Sequence, residues 1–253
     1  MSEFKGFFET TPCQKLDEPR LNPPAAKAPT GFVRSYYGIL LRRNWLDATF
    51  HFCKSGAYDS LLVNYLEDQS THFTFVDIGA NQGLYAILAA QNKLCSKVYA
   101  FEPVASTFSL LTANLNANQV TDKVQAIQAA VSLETGRTEI SKKPWHSGAA
   151  TMRKLPRWFR FTETISTIGP NTLQELITSA AELIIKVDVE GHEKVVFDAL
   201  VTSGLLHNTK AVFYEVNDRW SQADVLKTLL RECGFKHFVY ASSHSSCDVL
   251  ATR

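Results

Sequence analysis

"FVDIGANQGLYAILAA", residues 75–90, decides the fold. A β-rich run starting at Phe73 ends in a turn marked by Gly79 and Gly83, and "LYAILAA" (84–90) then reads as an apolar helix. A strand that passes through a glycine turn straight into a helix is the βα unit of a doubly wound sheet, in which ligands bind beyond the carboxyl ends of the strands. Gly79 allows the tight turn and Gly83 allows close packing where the helix begins. Asn81 stands where nucleotide folds often use glycine, and asparagine tolerates the left-handed conformation. The helix start offers free N–H groups to a ligand. Asp77, just before the first glycine, repels a pyrophosphate but suits a cationic or zwitterionic ligand.

The same alternation continues downstream. "KVYAFEP" (97–103) is a second strand stopped by proline, and Phe108, Leu111 and Leu115 mark the next helix. "VQAIQAAV" (124–131) is a third strand, "TLQELI" (172–177) a short helix, and "LIIKVD" (183–188) a fourth strand. A helix through Val195, Val196, Ala199 and Leu200 precedes the fifth strand, "AVFYEV" (211–216). The helix through Val225, Leu226, Leu229 and Leu230 closes at Gly234, a C-terminal cap signal. "FKHFVY" (235–240) and "CDVLAT" (247–252) follow at hairpin spacing and predict an antiparallel pair. The whole predicts an α/β, Rossmann-like, doubly wound seven-stranded sheet with its last strand antiparallel.

Working outward, residues 71–253 form the predicted main domain. Residues 1–30, with "LNPPAAKAPT", predict a flexible arm. Residues 31–70 predict a helical extension, because Tyr58, Leu61, Leu62, Tyr65 and Leu66 fall on one helical stripe. The 253 residues carry a net charge of +1, so the molecule as a whole has no strong pull on nucleic acid or membrane. Five scattered cysteines without a C-x-x-C pair suit reduced thiols and a cytoplasmic location. Neither a leader-like apolar stretch at the start nor a run of the ~18 apolar residues a membrane helix needs is visible.

Glu102 ends the second strand 23 residues after Gly79, where an acid accepts hydrogen bonds from ribose hydroxyls. Together with the acid in the turn itself, it favours S-adenosylmethionine over a nicotinamide dinucleotide. "KVDVEGHE" (186–193) crowds Asp188, Glu190, His192 and Glu193 into the carboxyl end of the fourth strand. Methyl transfer to an alcohol needs the acceptor oxygen held in line and its proton removed, and a positioned base contributes roughly 10²–10⁴-fold. Asp188, Glu190 and His192 are the available bases. An imidazole near its ordinary pKa, one turn into the next helix, is the favoured proton acceptor, with Asp188 balancing a sulfonium and Glu190 orienting the ring or holding Lys186. The competing reading is helix N-terminal chemistry, in which acids simply suit the macrodipole.

"KKPWHSGAATMRKLPRWFRF" (142–161) holds six cations and no acid, interleaved with Trp145, Trp158, Phe159 and Phe161. Lying between the third and fourth strands, it is placed to fold over the carboxyl-end face as a lid. Indoles stack on sugars and arginines clamp anions, which makes Trp145, His146, Arg153, Arg157, Trp158 and Arg160 the candidate acceptor residues. Such a mixture also suits single-stranded nucleic acid.

"FVDIGANQGLYAILAA", "VYAFEPVASTFSLLTANLNAN", "AAVS" and "IIKVDVEGHEKVVFDAL", in this order and spacing, resemble the FkbM-type methyltransferases over roughly residues 72–217. The resemblance implies a class I S-adenosylmethionine-dependent fold with strand order 3-2-1-4-5-7-6. It also implies O-methylation of a hydroxyl on a sugar, glycan or natural product, an anionic acceptor being suited by the arginines. Carried over, the cofactor contacts Asp77, Gly79, Ala80, Asn81 and Gly83, with Glu102 and Pro103 at the ribose, Ala129 and Ala130 at the adenine, and Asp188 beside the methyl donor. Glu215, Asn217 and Asp218 are oxygen donors of the kind Mg²⁺ takes. Their order differs from that of metal-using relatives, and the resemblance requires no metal. The alternatives are an RNA or protein methyltransferase using the insert, and a non-catalytic cofactor-binding module. Residues 1–71 and 142–161 match no block of the family, and there the acceptor is left open.

Overall fold

The structure, a computed structural model, describes residues 27–58, 60–143, 146–152, 161–217, 223–241 and 246–253. A short hairpin of β1 (Phe32–Arg34) and β2 (Leu40–Arg42) leads to helices α1 (Ala48–Ser55) and α2 (Leu61–Glu67). The alternating units follow: β3 (Phe73–Ile78), α3 (Leu84–Gln91), β4 (Cys95–Phe101), α4 (Ala105–Ala117) and β5 (Val124–Ile127). Next come four strands, β6 (Ala130–Val131), β7 (Gly136–Lys143), β8 (His146–Thr151) and β9 (Phe161–Ile168). The chain closes with α5 (Pro170–Leu176), β10 (Glu182–Val187), α6 (Glu193–Thr202), β11 (Thr209–Asn217), α7 (Ala223–Glu232), β12 (His237–Tyr240) and β13 (Ser246–Thr252).

The main sheet runs β5-β4-β3-β10-β11-β13-β12. Counted along the chain this is the 3-2-1-4-5-7-6 order expected, with β13 antiparallel to both neighbours and the first five strands parallel. Every residue of β3 is buried, as a central parallel strand covered on both faces requires. Alternate side chains serve opposite layers. Ile184 joins Phe75, Phe213 and the buried residues 84–90 of α3 in one core, whereas Ile185 joins Val76, Val212, Phe197 and Leu200 in the other.

Three features differ from the sequence-based expectation. "VQAIQAAV" is not one strand: Ala129 N donates to Ile127 O (3.0 Å), closing a tight turn. Ala130–Val131 then leaves the main sheet to pair with β9 in a second sheet ordered β6-β9-β7-β8. The described part of the insert is built mainly on strands, the end of β7 and β8, the latter ending at Thr151. Finally, residues 31–70 hold a hairpin as well as helices, and Tyr58 lies just before α2 rather than on it. Strands of three residues carry too little alternation to be read as strands. Among the described residues no helix is long and apolar enough to cross a membrane, and Cys53, Cys95, Cys233 and Cys247 are free thiols.

Candidate functional site

The turn after β3 is held in left-handed conformations at Gly79 (φ 83°), Asn81 (φ 48°) and Gly83 (φ 88°). At Gly79 the reason is close approach as well: a Cβ there would lie 1.9 Å from the backbone oxygen of Asp188. Gly79 N and Ala80 N both donate to Phe101 O (3.0 and 2.9 Å), and Asp188 N donates to Ile78 O (3.0 Å). Main-chain bonds thus pin the ends of β3, β4 and β10 together. At Gly83 a Cβ would meet Leu111 Cδ1 at 2.5 Å, so that glycine serves helix packing.

Glu102 lies at the end of β4, buried. Its Oε2 accepts from Asn81 N (3.1 Å) and its Oε1 from Val104 N (2.9 Å). Each oxygen keeps acceptor capacity beyond these bonds. Burial pushes the carboxyl up to about 7, against the lowering influence of the two N–H groups.

Beneath the turn stands a charge cluster. Lys186 is 3% exposed; its Nζ donates to Gly79 O (3.1 Å) and lies 3.2 Å from Asp77 Oδ1 and 3.4 Å from Asp188 Oδ2. Burial alone would lower the lysine, but the two carboxylates outweigh it and hold it above its ordinary value. Burial pushes Asp77 up, and Lys186 opposes that push. Neither oxygen of Asp77 receives a well-directed hydrogen bond among the described residues, so the ammonium is its compensating partner. Lys186 also stands 5.6 Å from the Tyr85 ring centroid.

A cavity of about 380 Å³ opens above these groups. Of the residues expected at the cofactor, Gly79, Asn81, Glu102, Pro103, Ala129, Ala130 and Asp188 line it; Asp77, Ala80 and Gly83 do not. Asp77 is fully buried under the turn, so its influence reaches the cavity through Lys186. Asp188, Glu190 and His192 line the same cavity, which brings the "KVDVEGHE" segment and the glycine turn into one chamber.

His192 differs from expectation in two ways. It is the residue immediately before α6, not one turn into it. Burial lowers its imidazole to about 4, well below the near-ordinary value expected, so it is neutral near pH 7. Its Nε2 is buried and without a hydrogen-bond partner among the described residues. Glu190 takes a left-handed φ of 46°, and its carbonyl accepts from Thr151 Oγ1 (2.7 Å), tying β8 to the segment. Glu193 Oε1 accepts from Gly191 N (2.8 Å), the helix-terminal role weighed for it.

His146 lines the cavity with Ser147, Gly148, Ala150 and Met152, so the described part of the insert does face the chamber. Trp145, Arg153, Arg157, Trp158 and Arg160 lie outside the described residues, as does Asp218. Glu215 lines the chamber, and among the described residues no group of three or more His, Cys, Asp or Glu is placed to hold a metal ion.

The sequence reading missed three contributions. Phe52, Tyr58, Tyr85 and Phe213 supply an aromatic wall, with successive rings 6.2–6.3 Å apart. Lys186 was considered only as a partner of Glu190, whereas it sits between Asp77 and Asp188; one lysine inside the apolar run "LIIKV" was the signal. Asp47, before α1, bonds across to β8, and nothing local in the sequence announces that.

The donor set fits S-adenosylmethionine. Small alanines and Val131 with Ile140 make an apolar slot, Glu102 offers acceptors to vicinal hydroxyls, and the acidic far side suits an ammonium and a sulfonium. A cavity of this volume is in the range that small-molecule sites occupy.

The chain matches the family described as the methyltransferase FkbM domain over residues 77–237. It is 30% identical over 115 residues (46% of this chain, 43% of the relative) to the methyltransferase sdnD of Sordaria araneosa. It is 29% identical over 164 residues (65% and 64%) to the hexuronic acid methyltransferase AglP of Haloferax volcanii. The matched stretches thus span less than two thirds of either relative. Among solved structures, a precorrin-6y C5,15-methyltransferase of Geobacter metallireducens aligns with a TM-score of 0.45 at 12% identity, covering 77% of this chain and 86% of that one. With the family match spanning well over half of its length, the chain belongs to the FkbM methyltransferase family.

Proposed function

We propose that the protein is an S-adenosylmethionine-dependent O-methyltransferase acting on a hydroxyl of a sugar, glycan or natural product. The observation that carries this reading is the shared chamber: Gly79, Asn81 and Glu102 from one side and Asp188, Glu190 and His192 from the other line a single cavity. The cofactor supplies a methyl group on a positively charged sulfur. Glu102 accepts from the ribose hydroxyls, Ala129 and Ala130 flank the adenine, and Asp188 stands on the side of the positive charge. AglP, named for a hexuronic acid, supports a carbohydrate acceptor, and an aromatic wall suits stacking of a sugar ring.

Asp188 is the proton acceptor in this reading. Its side chain is 39% exposed and lines the cavity, and Lys186 orients the carboxylate from below. His192, neutral and with a buried Nε2, offers an acceptor that aligns the hydroxyl. At about 4 it has lost the advantage that an ordinary imidazole holds over a carboxylate, and the open Asp188 carboxylate is the more accessible of the two. Transfer of labelled methyl from S-adenosylmethionine to a panel of neutral and acidic glycosides tests the proposal. Asp188→Asn should lower kcat by about two orders of magnitude or more with cofactor still bound, and His192→Ala by about ten-fold. The reverse ranking would return the base to His192. Failure of the wild type to bind cofactor would remove the methyltransferase reading altogether.

A further inference from the structure

We infer that Asp47 is a positioning residue for the cofactor site, fastening the N-terminal segment and β8 onto the first turn. The inference rests on the cofactor reading above. Asp47 lies 30 positions ahead of the family match and does not itself line the chamber, yet its carboxylate is buried at 6% exposure. Four donors converge on it. Phe50 N (3.0 Å), Ser147 Oγ (3.1 Å) and Gln82 Nε2 (3.2 Å) donate to Oδ1, and Ser147 N (3.0 Å) donates to Oδ2. The bond from Phe50 N is an ordinary helix N-cap. Capping accounts for that bond alone; the other three come from the cofactor turn and from a strand 100 residues away.

The consequence reaches the chamber through two residues. Ser147 Oγ also lies 3.1 Å from the Asn81 side-chain oxygen, so its one hydrogen is shared between that oxygen and Asp47 Oδ1, and Asn81 N in turn donates to Glu102. Next along the strand, Gly148 N donates to Thr49 Oγ1 (2.9 Å). A Cβ at Gly148 would lie 2.9 Å from that oxygen, so the strand sits against the N-terminal segment without room for a side chain. Gln82 is anchored behind: its carbonyl accepts from Asn114 Nδ2 (2.8 Å), and Asn114 Oδ1 accepts from Arg42 N (2.7 Å). Asn81, Ser147 and Gly148 all line the cavity. Asp47 is therefore the point at which the cover of the chamber is bonded to its floor.

The chemistry of four donors makes the residue type specific. A carboxylate is all acceptor, whereas the amide of an asparagine would turn a donor toward a donor. Asparagine nevertheless caps a helix about as well as aspartate. Asp47→Ala should lower the melting temperature and raise the Kd for S-adenosylhomocysteine ten-fold or more by calorimetry. Asp47→Asn should restore the melting temperature while the Kd stays raised. Adding Ser147→Ala to Asp47→Asn should worsen the Kd by less than Ser147→Ala does in the wild type, because both act through one bond. An asparagine variant that restores both quantities, or an alanine variant with wild-type Kd, would overturn the inference and leave the cofactor reading standing. Absence of binding in the wild type would overturn the cofactor reading and this inference with it.

Discussion

Replacing Lys186 by methionine removes the ammonium while keeping an unbranched stem of similar length. The lysine is 3% exposed and lies between a fully buried Asp77 (3.2 Å) and a partly exposed Asp188 (3.4 Å). Deleting one partner of a buried ion pair costs roughly 3–5 kcal/mol, because the other charge stays in place without compensation. Asp77 falls in that class. Asp188 can be rehydrated, and its loss adds little. The expected deficit of ~3–5 kcal/mol is a large part of the ~5–15 kcal/mol that holds a domain together. At an m-value near 3 kcal/mol/M it moves the urea midpoint by roughly 1–2 M.

The pH dependence identifies the group responsible. Burial already pushes Asp77 above its ordinary value, and Lys186 is what opposes this. Without the lysine the folded-state value rises further, so the folded protein binds more protons than the unfolded chain across the window between them. Stability in such a window falls as pH rises. The deficit of Lys186→Met should therefore be smaller at pH 5 than at pH 8, and Asp77→Asn in the same background should recover more than half of it at pH 8. Urea unfolding followed by tryptophan fluorescence at both pH values measures all three quantities. A deficit under 1 kcal/mol, one that does not vary with pH, or a double variant no better than the single would refute the account of Lys186 as the counterion of Asp77.

Affinity for S-adenosylhomocysteine should rise as pH passes upward through about 7, the value to which burial moves Glu102, and Glu102→Gln should flatten that profile in calorimetry. The same substitution should remove a pH dependence of the free protein's stability: a carboxyl raised from 4.5 to about 7 contributes stability below 4.5 that is lost as pH rises through 7, a difference of up to ~3 kcal/mol. Gly79→Ala should abolish cofactor binding and unfold or severely destabilise the chain in the same urea assay, because its Cβ would stand 1.9 Å from a backbone oxygen in a left-handed turn. Gly83→Ala, which meets only the end of the Leu111 side chain, should be the milder of the two.

What could be read from the sequence follows the range of the interactions involved. The strand–turn–helix unit at 73–90 and the Glu102 position depend on contacts within or between adjacent βα repeats, where periodicity and glycine placement carry the information, whereas the strand order came from the family resemblance. "KVDVEGHE" was placed at the chamber for the same reason. The protonation of His192 was misread because its burial depends on packing by segments distant in the sequence, which the local density of charge does not reveal. Ala130–Val131 looked like the continuation of β5, since a two-residue strand in a separate sheet has no periodicity of its own. Asp47 was invisible: its partners Gln82 and Ser147 lie 35 and 100 residues away.

The two halves of the chamber are consequently built by different means. The cofactor half is set by main-chain bonds among the ends of β3, β4 and β10, which side-chain substitution leaves largely intact. The covering half comes from α1, the segment before α2 and β8, elements outside the main sheet. Asp47 and Thr49 bond to β8, and the bonds of Asp47 with Gln82 and of Thr151 with the Glu190 carbonyl tie them to the strand ends. A substitution on β8 that reshapes the acceptor space must therefore also act on Ser147, and through it on Asn81 and the Glu102 bond. If the chamber holds cofactor and acceptor as proposed, acceptor choice and cofactor affinity should be coupled through this path. Altering one by changing β8 moves the other, whereas changes on the aromatic wall at Tyr58 or Phe213, which lie off the Asp47–Ser147–Asn81 path, leave that path intact and give a route to vary the acceptor alone.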